Sequence, residues 1–114
     1  MPNLYDWLKQ LGWREYSKAP HDRFDRVWYK FFECEPHDYG NPDKPGVQVA
    51  LKQWVFPEHT SYQLNLTAEC DDDICVELEC YGIGENELVE KLDLCVEKLI
   101  RAWKACQTEP ALRV

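Results

Sequence analysis

Hydrophobic and polar positions alternate over two segments in the second half of the chain. From Tyr62 to Cys70 every second residue is apolar or small, and residues 76–80 repeat this pattern after the acidic turn 71–74. A period of two predicts half-buried strands. Gly82 and Gly84 then predict the end of the second strand.

Apolar residues recur every three or four positions in the segment that follows. This spacing predicts a long amphipathic helix over residues 85–107, with the segment 108–114 as a frayed tail. Near the N-terminus, Leu4, Leu8 and Leu11 have the same spacing, and Asn3 is a good N-cap. A short helix is therefore predicted over residues 4–11.

The segment between the two predicted helices begins with a polar connection over residues 13–25. A strand rich in aromatic residues is predicted over 27–34, and a second strand over 47–55. The loop between them, residues 35–46, contains three prolines and two glycines. Its length exceeds the usual hairpin connection of about two to five residues, so it is a candidate contact element.

These elements predict an α+β fold in the order α-β-β-β-β-α, with residues 1–114 forming one domain. We expect two layers: a four-stranded antiparallel sheet in meander order, and both helices packed on one sheet face. Opposing Val49 with Ala68 and Leu51 with Leu66 gives that face a consistent apolar surface. The same register places Val55 opposite Tyr62.

Six cysteines raise the question of disulfides. If Cys70 faces the core with Val76, Leu78 and Cys80, then Cys75 lies on the opposite side of the sheet. A bridge between Cys70 and Cys75 would require a one-residue slip that sends the apolar set to the wrong face. We therefore expect free thiols, with Cys80, Cys95 and Cys106 serving as small core residues.

The composition indicates a folded chain, since 45% of its residues are hydrophobic and 13% are aromatic. The chain contains no apolar run of about eighteen residues, so no membrane span is expected. Its first residues lack the pattern of a signal peptide, which predicts a cytoplasmic location.

The formal net charge of −8 is concentrated in the second half of the chain. Residues 1–60 hold eight basic and nine acidic side chains, whereas residues 61–114 hold five basic and twelve acidic ones. A surface that binds nucleic acid needs positive charge to neutralise phosphates. We therefore expect no direct binding of nucleic acid.

Catalytic and metal-binding patterns are weak. Cys34 and His37 have a short ligand spacing, but there is no second pair, as a zinc site would require. The turn Asp71–Asp73 lacks the alternating oxygen ligands of a calcium loop. Cys34 with His37 leaves a small thiol- or metal-dependent enzyme as an alternative, although the expectation is no enzymatic activity, no metal and no cofactor.

An acidic and aromatic surface is predicted on the sheet face away from the helices. Such carboxylates keep a small domain soluble, but aromatic residues among them are typical of anchors for a protein partner. The residues predicted to contact the partner are Lys52, Trp54, Glu69, Asp71, Asp72, Asp73, Glu77, Glu79 and Tyr81.

The expected function is a non-enzymatic, acidic protein-binding domain whose partner has a basic surface. By overall profile, small acidic proteins of this kind resemble phage and mobile-element inhibitors of host defence, including anti-CRISPR-like proteins, as well as acidic chaperones and adaptors. An inhibitor would imitate nucleic acid and act in the host cytoplasm. The alternative is a self-associating structural protein, a homodimer formed through Trp28, Phe32 and Trp54.

Overall fold

The computed structural model of the protein describes residues 3–39, 46–69 and 75–107. A meander of five antiparallel strands lies between two helices in the chain order. The elements are helix α1 (Leu4–Gln10), strands β1 (Arg14–Tyr16), β2 (Arg26–Phe32), β3 (Val47–Val55), β4 (Thr60–Glu69) and β5 (Cys75–Gly84), and helix α2 (Glu85–Gln107), with a short 3₁₀ turn at Pro36–Asp38.

The α+β class is confirmed, but the sheet has five strands rather than the four predicted. The additional strand, β1, lies within the segment 13–25 that was predicted to be a connection. All three of its side chains are exposed, so it has no alternating pattern. It forms because it pairs with β2, where the Arg26 guanidinium holds the Glu15 carboxylate with two hydrogen bonds of 2.7 and 2.6 Å.

The pairing of β3 with β4 differs from the prediction by two residues. Val49 lies opposite Leu66, Leu51 opposite Leu64, and Val55 opposite Thr60. The turn sets this register, since the Phe56 amide donates to the His59 carbonyl at 2.8 Å and closes a tight hairpin. A shift of two residues keeps every side chain on its predicted face.

The strand β5 continues through the glycines that were predicted to end it. Tyr62 lies opposite Ile83 and Leu64 opposite Cys80, so a bulge places two β5 residues against Gln63. One of the two, Gly82, has a φ of +73°, a conformation that favours glycine.

One face of the sheet, here called the inner face, forms a core with both helices. Leu8 of α1 and the apolar stripe of α2 join side chains from β2 to β5 in one buried cluster. The buried members are Leu8, Trp13, Trp28, Val47, Val49, Leu51, Tyr62, Leu64, Leu66, Ala68, Ile83, Leu88, Leu92, Val96, Leu99 and Trp103.

A buried polar group links the helices at one end of this core. Gln53 is 4% exposed, and its Nε2 donates to the hydroxyls of Tyr62 at 3.0 Å and Tyr5 at 3.3 Å. The Tyr62 hydroxyl in turn donates to Glu85 at the start of α2, at 3.4 Å. Burial raises the pKa of Tyr62 to about 12.

Three cysteines, Cys34, Cys80 and Cys95, are free thiols. Cys80 and Cys95 pack against the inner core, as predicted. Cys70 and the side chains of Cys75 and Cys106 lie outside the described part of the chain, as do residues 108–114. Neither described helix combines the length and the apolar composition needed to cross a bilayer.

Candidate binding surface

The face of the sheet opposite the helices is here called the outer face. It is covered where the start of β2 lies beside β3. Phe24 folds back from the connection after β1 and packs against Val27 and Ala50 in a second, smaller buried cluster. Its position is fixed by the neighbouring Asp25, whose amide donates to the Gln53 carbonyl at 2.7 Å and whose carboxylate accepts from the Val55 amide at 2.7 Å. This contact buries Val27 of β2 on the outer face of the sheet.

Tyr39 covers a further part of the outer face. Its hydroxyl donates to the Thr67 carbonyl at 3.0 Å, and its ring meets Phe31 edge-on at 5.5 Å between centroids. Tyr39 belongs to the predicted contact loop 35–46, of which residues 40–45 lie outside the described part. The described start of this loop is therefore packed against the sheet.

The β5 side of the outer face is open. Glu77, Glu79 and Tyr81 are exposed, and Tyr81 retains 67% of its accessible surface. Since alternate residues on a strand are separated by about 6.7 Å, the two carboxylates form a short row along the sheet edge. The sides predicted for these three residues are confirmed.

Glu79 is held in place by a buried asparagine on the neighbouring strand. Asn65 lies opposite Glu79 and is 5% exposed, and its Nδ2 donates to Glu79 Oε1 at 2.7 Å. The other amide atom, Oδ1, is buried and has no hydrogen-bond donor among the described residues. A buried acceptor without a donor is costly, and because this oxygen is shielded from solvent, the exposed acceptor at this position is the Glu79 carboxylate.

An apolar groove lies beside the acidic row, at the bulge of β5. It has a volume of about 260 Å³, and Trp54, Phe56 and Tyr81 form its aromatic walls. The space above Gly82 is open: a Cβ built on this glycine would have no atom of the described residues within 4 Å. Phe56 is exposed and stacks on His59, with centroids 4.9 Å apart.

The remaining predicted contact residues are placed less closely together. Lys52 and Trp54 lie on β3, which β4 separates from β5, so they are about 10 Å from the acidic row. The Lys52 ammonium lies over the Phe24 ring at 5.2 Å, and the Trp54 indole donates to Gln63 at 3.0 Å. The Glu69 side chain and Asp71, Asp72 and Asp73 lie outside the described part.

The three aromatic residues predicted for self-association do not share a surface. Trp28 is 2% exposed within the inner core, and Phe32 packs against the same core. Trp54 is on the outer face. A homodimer built on all three would have to disrupt the core of each copy.

Cys34 and His37 lie in different environments. The His37 side chain is 79% exposed and lies 3.5 Å from the Asp38 carboxylate. Burial, together with the charges of Asp38 and Glu35, raises the pKa of the Cys34 thiol, which favours its less nucleophilic neutral form. Among the described residues, no three histidine, cysteine, aspartate or glutamate side chains are grouped so that they could hold a metal ion.

A larger cavity of about 650 Å³ opens between α1 and β1, on the opposite side of the molecule from the acidic row. Trp13 and Trp28 form its apolar floor, and Tyr5 stacks on Trp28 at 5.7 Å. Arg26 lies 3.6 Å above the Tyr5 ring and is held there by Glu15. Tyr5, Arg26 and Glu15 therefore have their partners within the protein, and the charged side chains around the cavity include both acidic and basic ones.

Three features of the outer face were missed in the sequence. Phe24 was a single large apolar residue in an otherwise polar segment, which is a weak indication of a cover for the sheet. Gly82 within an alternating strand was a better indication, since an isolated strand glycine often marks a bulge. The burial of Asn65 has no signal in the sequence, because polar residues are expected on an open sheet face.

Comparison with known proteins provides no assignment. No protein-family model matches the chain, and no curated protein and no solved structure matches it. The arrangement of Glu77, Glu79, Asn65, Tyr81 and the aromatic groove is therefore the basis for a functional proposal.

Proposed function

We propose that the protein is a non-enzymatic binding domain that attaches to a basic surface of another protein through the β5 side of its outer face. The observation that carries this proposal is the exposed row of Glu77 and Glu79 beside the aromatic groove. Carboxylates steer a basic partner, and the aromatic side chains supply apolar contact area.

The arrangement favours recognition over a purely solubilising role for these acids. A solubilising carboxylate needs no support, whereas Glu79 is fixed by a short hydrogen bond from a buried amide. The exposed Tyr81 and Phe56 add apolar surface, which a solubilising face would avoid. Because the partner surface is basic, the proposal extends to an inhibitor that competes with nucleic acid in the cytoplasm of a host cell.

Charge reversal with a matched control tests the proposal. The variant Glu77→Lys/Glu79→Lys reverses the row, and Glu90→Lys/Asp93→Lys makes the same change in net charge on the exposed side of α2. Both are immobilised with the wild type and exposed to nuclease-treated lysate of the cell that carries the gene. A partner retained by the wild type and the α2 variant, but lost by the β5 variant and released by added DNA, supports the proposal.

A second variant pair separates binding from folding. Glu77→Gln/Glu79→Gln removes the charge but keeps an acceptor for Asn65, and Glu90→Gln/Asp93→Asn is its control. We expect the amount of partner retained to fall by about tenfold for Glu77→Gln/Glu79→Gln and to stay near the wild-type level for the control Glu90→Gln/Asp93→Asn. Equal retention by all variants, at unchanged thermal stability, would exclude the acidic row as the contact.

A further inference from the structure

The strand that carries the acidic row is also an unpaired edge of the sheet. β5 is the last strand in the order β1-β2-β3-β4-β5, and it pairs with β4 on one side only within the described residues. Before the bulge, residues 75–80 form a regular stretch in which every second residue directs its backbone N–H and C=O away from β4. Such an edge accepts a further strand from a partner.

The side chains of this edge oppose pairing with the β5 strand of a second copy of the protein. Natural edge strands often carry charges that oppose pairing with a second copy. Two β5 strands brought together would set Glu77 and Glu79 of one copy beside the same carboxylates of the other, and like charges on facing strands are destabilising. The occupant that fits this edge carries positive charge at alternate positions.

The fixed position of the Glu79 carboxylate narrows the chemistry of that positive charge. Glu79 accepts a hydrogen bond of 2.7 Å from Asn65 Nδ2, which holds the carboxylate in place on the outer face. A guanidinium group has five N–H donors in a planar fork, so it can bind the exposed Glu79 carboxylate with two parallel hydrogen bonds. The exposed Tyr81 provides an aromatic face nearby, on which arginine stacks well.

We infer that the partner inserts an extended, arginine-bearing segment as a sixth strand along the β5 edge, with its arginines on the outer face against Glu77 and Glu79. This inference rests on the proposed function and specifies how the basic partner is held. Backbone hydrogen bonds to residues 75–80 provide the attachment, and the carboxylates select the side chains. The bulge at Gly82 ends the regular edge and so limits the length of the paired segment.

A synthetic peptide that alternates arginine and threonine is the probe. Its alternation fixes which side of the peptide faces the acids, and for either strand direction only one set of alternate amides then faces β5. Two N-methylated versions carry the methyl groups on one or the other set of alternate amides. Strand addition predicts that one version binds about tenfold more weakly than the parent peptide in fluorescence anisotropy, while the other binds like the parent.

Hydrogen exchange of the complete protein provides the second measurement. In the free protein, the outward amides of residues 75–80 should exchange rapidly, and bound peptide should slow them by about tenfold or more, with little change on β2. A version of the peptide with lysine in place of arginine should bind severalfold more weakly, because lysine lacks the planar fork.

The outcomes separate this inference from the proposed function. If both N-methylated peptides bind equally and the β5 amides stay unprotected, strand addition is wrong; loss of peptide binding in Glu77→Lys/Glu79→Lys would then still support the acidic face. If the peptide does not bind, or binds that variant as well as the wild type, the inference also fails. Outward β5 amides already protected in the free protein would show an occupied edge and would overturn the inference, and sedimentation would then test whether a second copy is the occupant.

Discussion

The hydroxyl of Tyr62 should make the stability of the protein fall at alkaline pH. Burial raises its pKa from about 10 to about 12, so between these values the hydroxyl is protonated in the folded state and ionised in the unfolded state. The associated stability is fully present below pH 10 and is lost as the pH rises through 12. Two pKa units correspond to about 3 kcal/mol, of which about half is lost by about pH 11.

The variant Tyr62→Phe isolates this effect. At neutral pH it loses the hydrogen bonds to Gln53 and Glu85, but Gln53 keeps its bond to Tyr5, so the free energy of unfolding should fall by about 1–2 kcal/mol. Because the variant has no hydroxyl to ionise, this deficit should close near pH 11, within about a unit.

Urea denaturation followed by circular dichroism, with reductant present, measures the difference at each pH. The other five tyrosines, including Tyr29, are common to both proteins, so their titration cancels in the difference. A difference that stays constant from neutral to strongly alkaline pH would refute the buried position of the Tyr62 hydroxyl.

Two further perturbations test the packing around the sheet. Hydrogen bonding from Arg26 lowers the pKa of Glu15, so Glu15→Gln should reduce the free energy of unfolding by less than about 1 kcal/mol above pH 4.5. This difference, measured by urea denaturation, should vanish as the pH falls through the lowered pKa of Glu15. A difference that is unchanged in acid would contradict the ion pair's contribution. Gly46→Ala would place its Cβ against Cys34 Sγ, so thermal denaturation should show that the free energy of unfolding falls by about 1–3 kcal/mol. In the control Gly84→Ala, the new Cβ would meet its nearest atom at 3.6 Å, so the loss should be much smaller. Equal losses in the two variants would refute the close approach of Gly46 to Cys34.

The bounds of two elements with a periodic pattern were predictable from the sequence. The bounds of β3, Val47–Val55, and of α2, Glu85–Gln107, agree with the predicted 47–55 and 85–107. Alternation and helical spacing are local properties of the sequence, and in these two segments each coincides with burial against the same core. The strand β1 was missed because Arg14, Glu15 and Tyr16 are all exposed and depend on a non-local partner.

The register of β3 with β4 shows a different limit. A two-residue shift preserves the face of every side chain, so the hydrophobic pattern cannot distinguish the observed register from the predicted one. The hairpin turn makes the choice, through the hydrogen bond between Phe56 and His59.

The sequence predicted on which face of the sheet the proposed binding residues lie, but not how much of that face is exposed. Alternation placed Glu77, Glu79 and Tyr81 on the outer face, where they are exposed. Coverage of the same face by Phe24 and Tyr39 arises from contacts between distant parts of the chain, which no periodic pattern encodes. The open area is therefore confined to the β5 side, and Lys52 belongs to the covered side with Phe24.

The position of the binding surface is tested most directly by a nuclear magnetic resonance titration of the isotope-labelled protein with its captured partner. We expect the largest chemical-shift changes at Asn65, Glu77, Glu79 and Tyr81, and we expect them to diminish at high salt, since exposed charges are screened. Changes centred instead on the exposed side of α2, or on the cavity between α1 and β1, would contradict a partner held at the β5 side of the outer face.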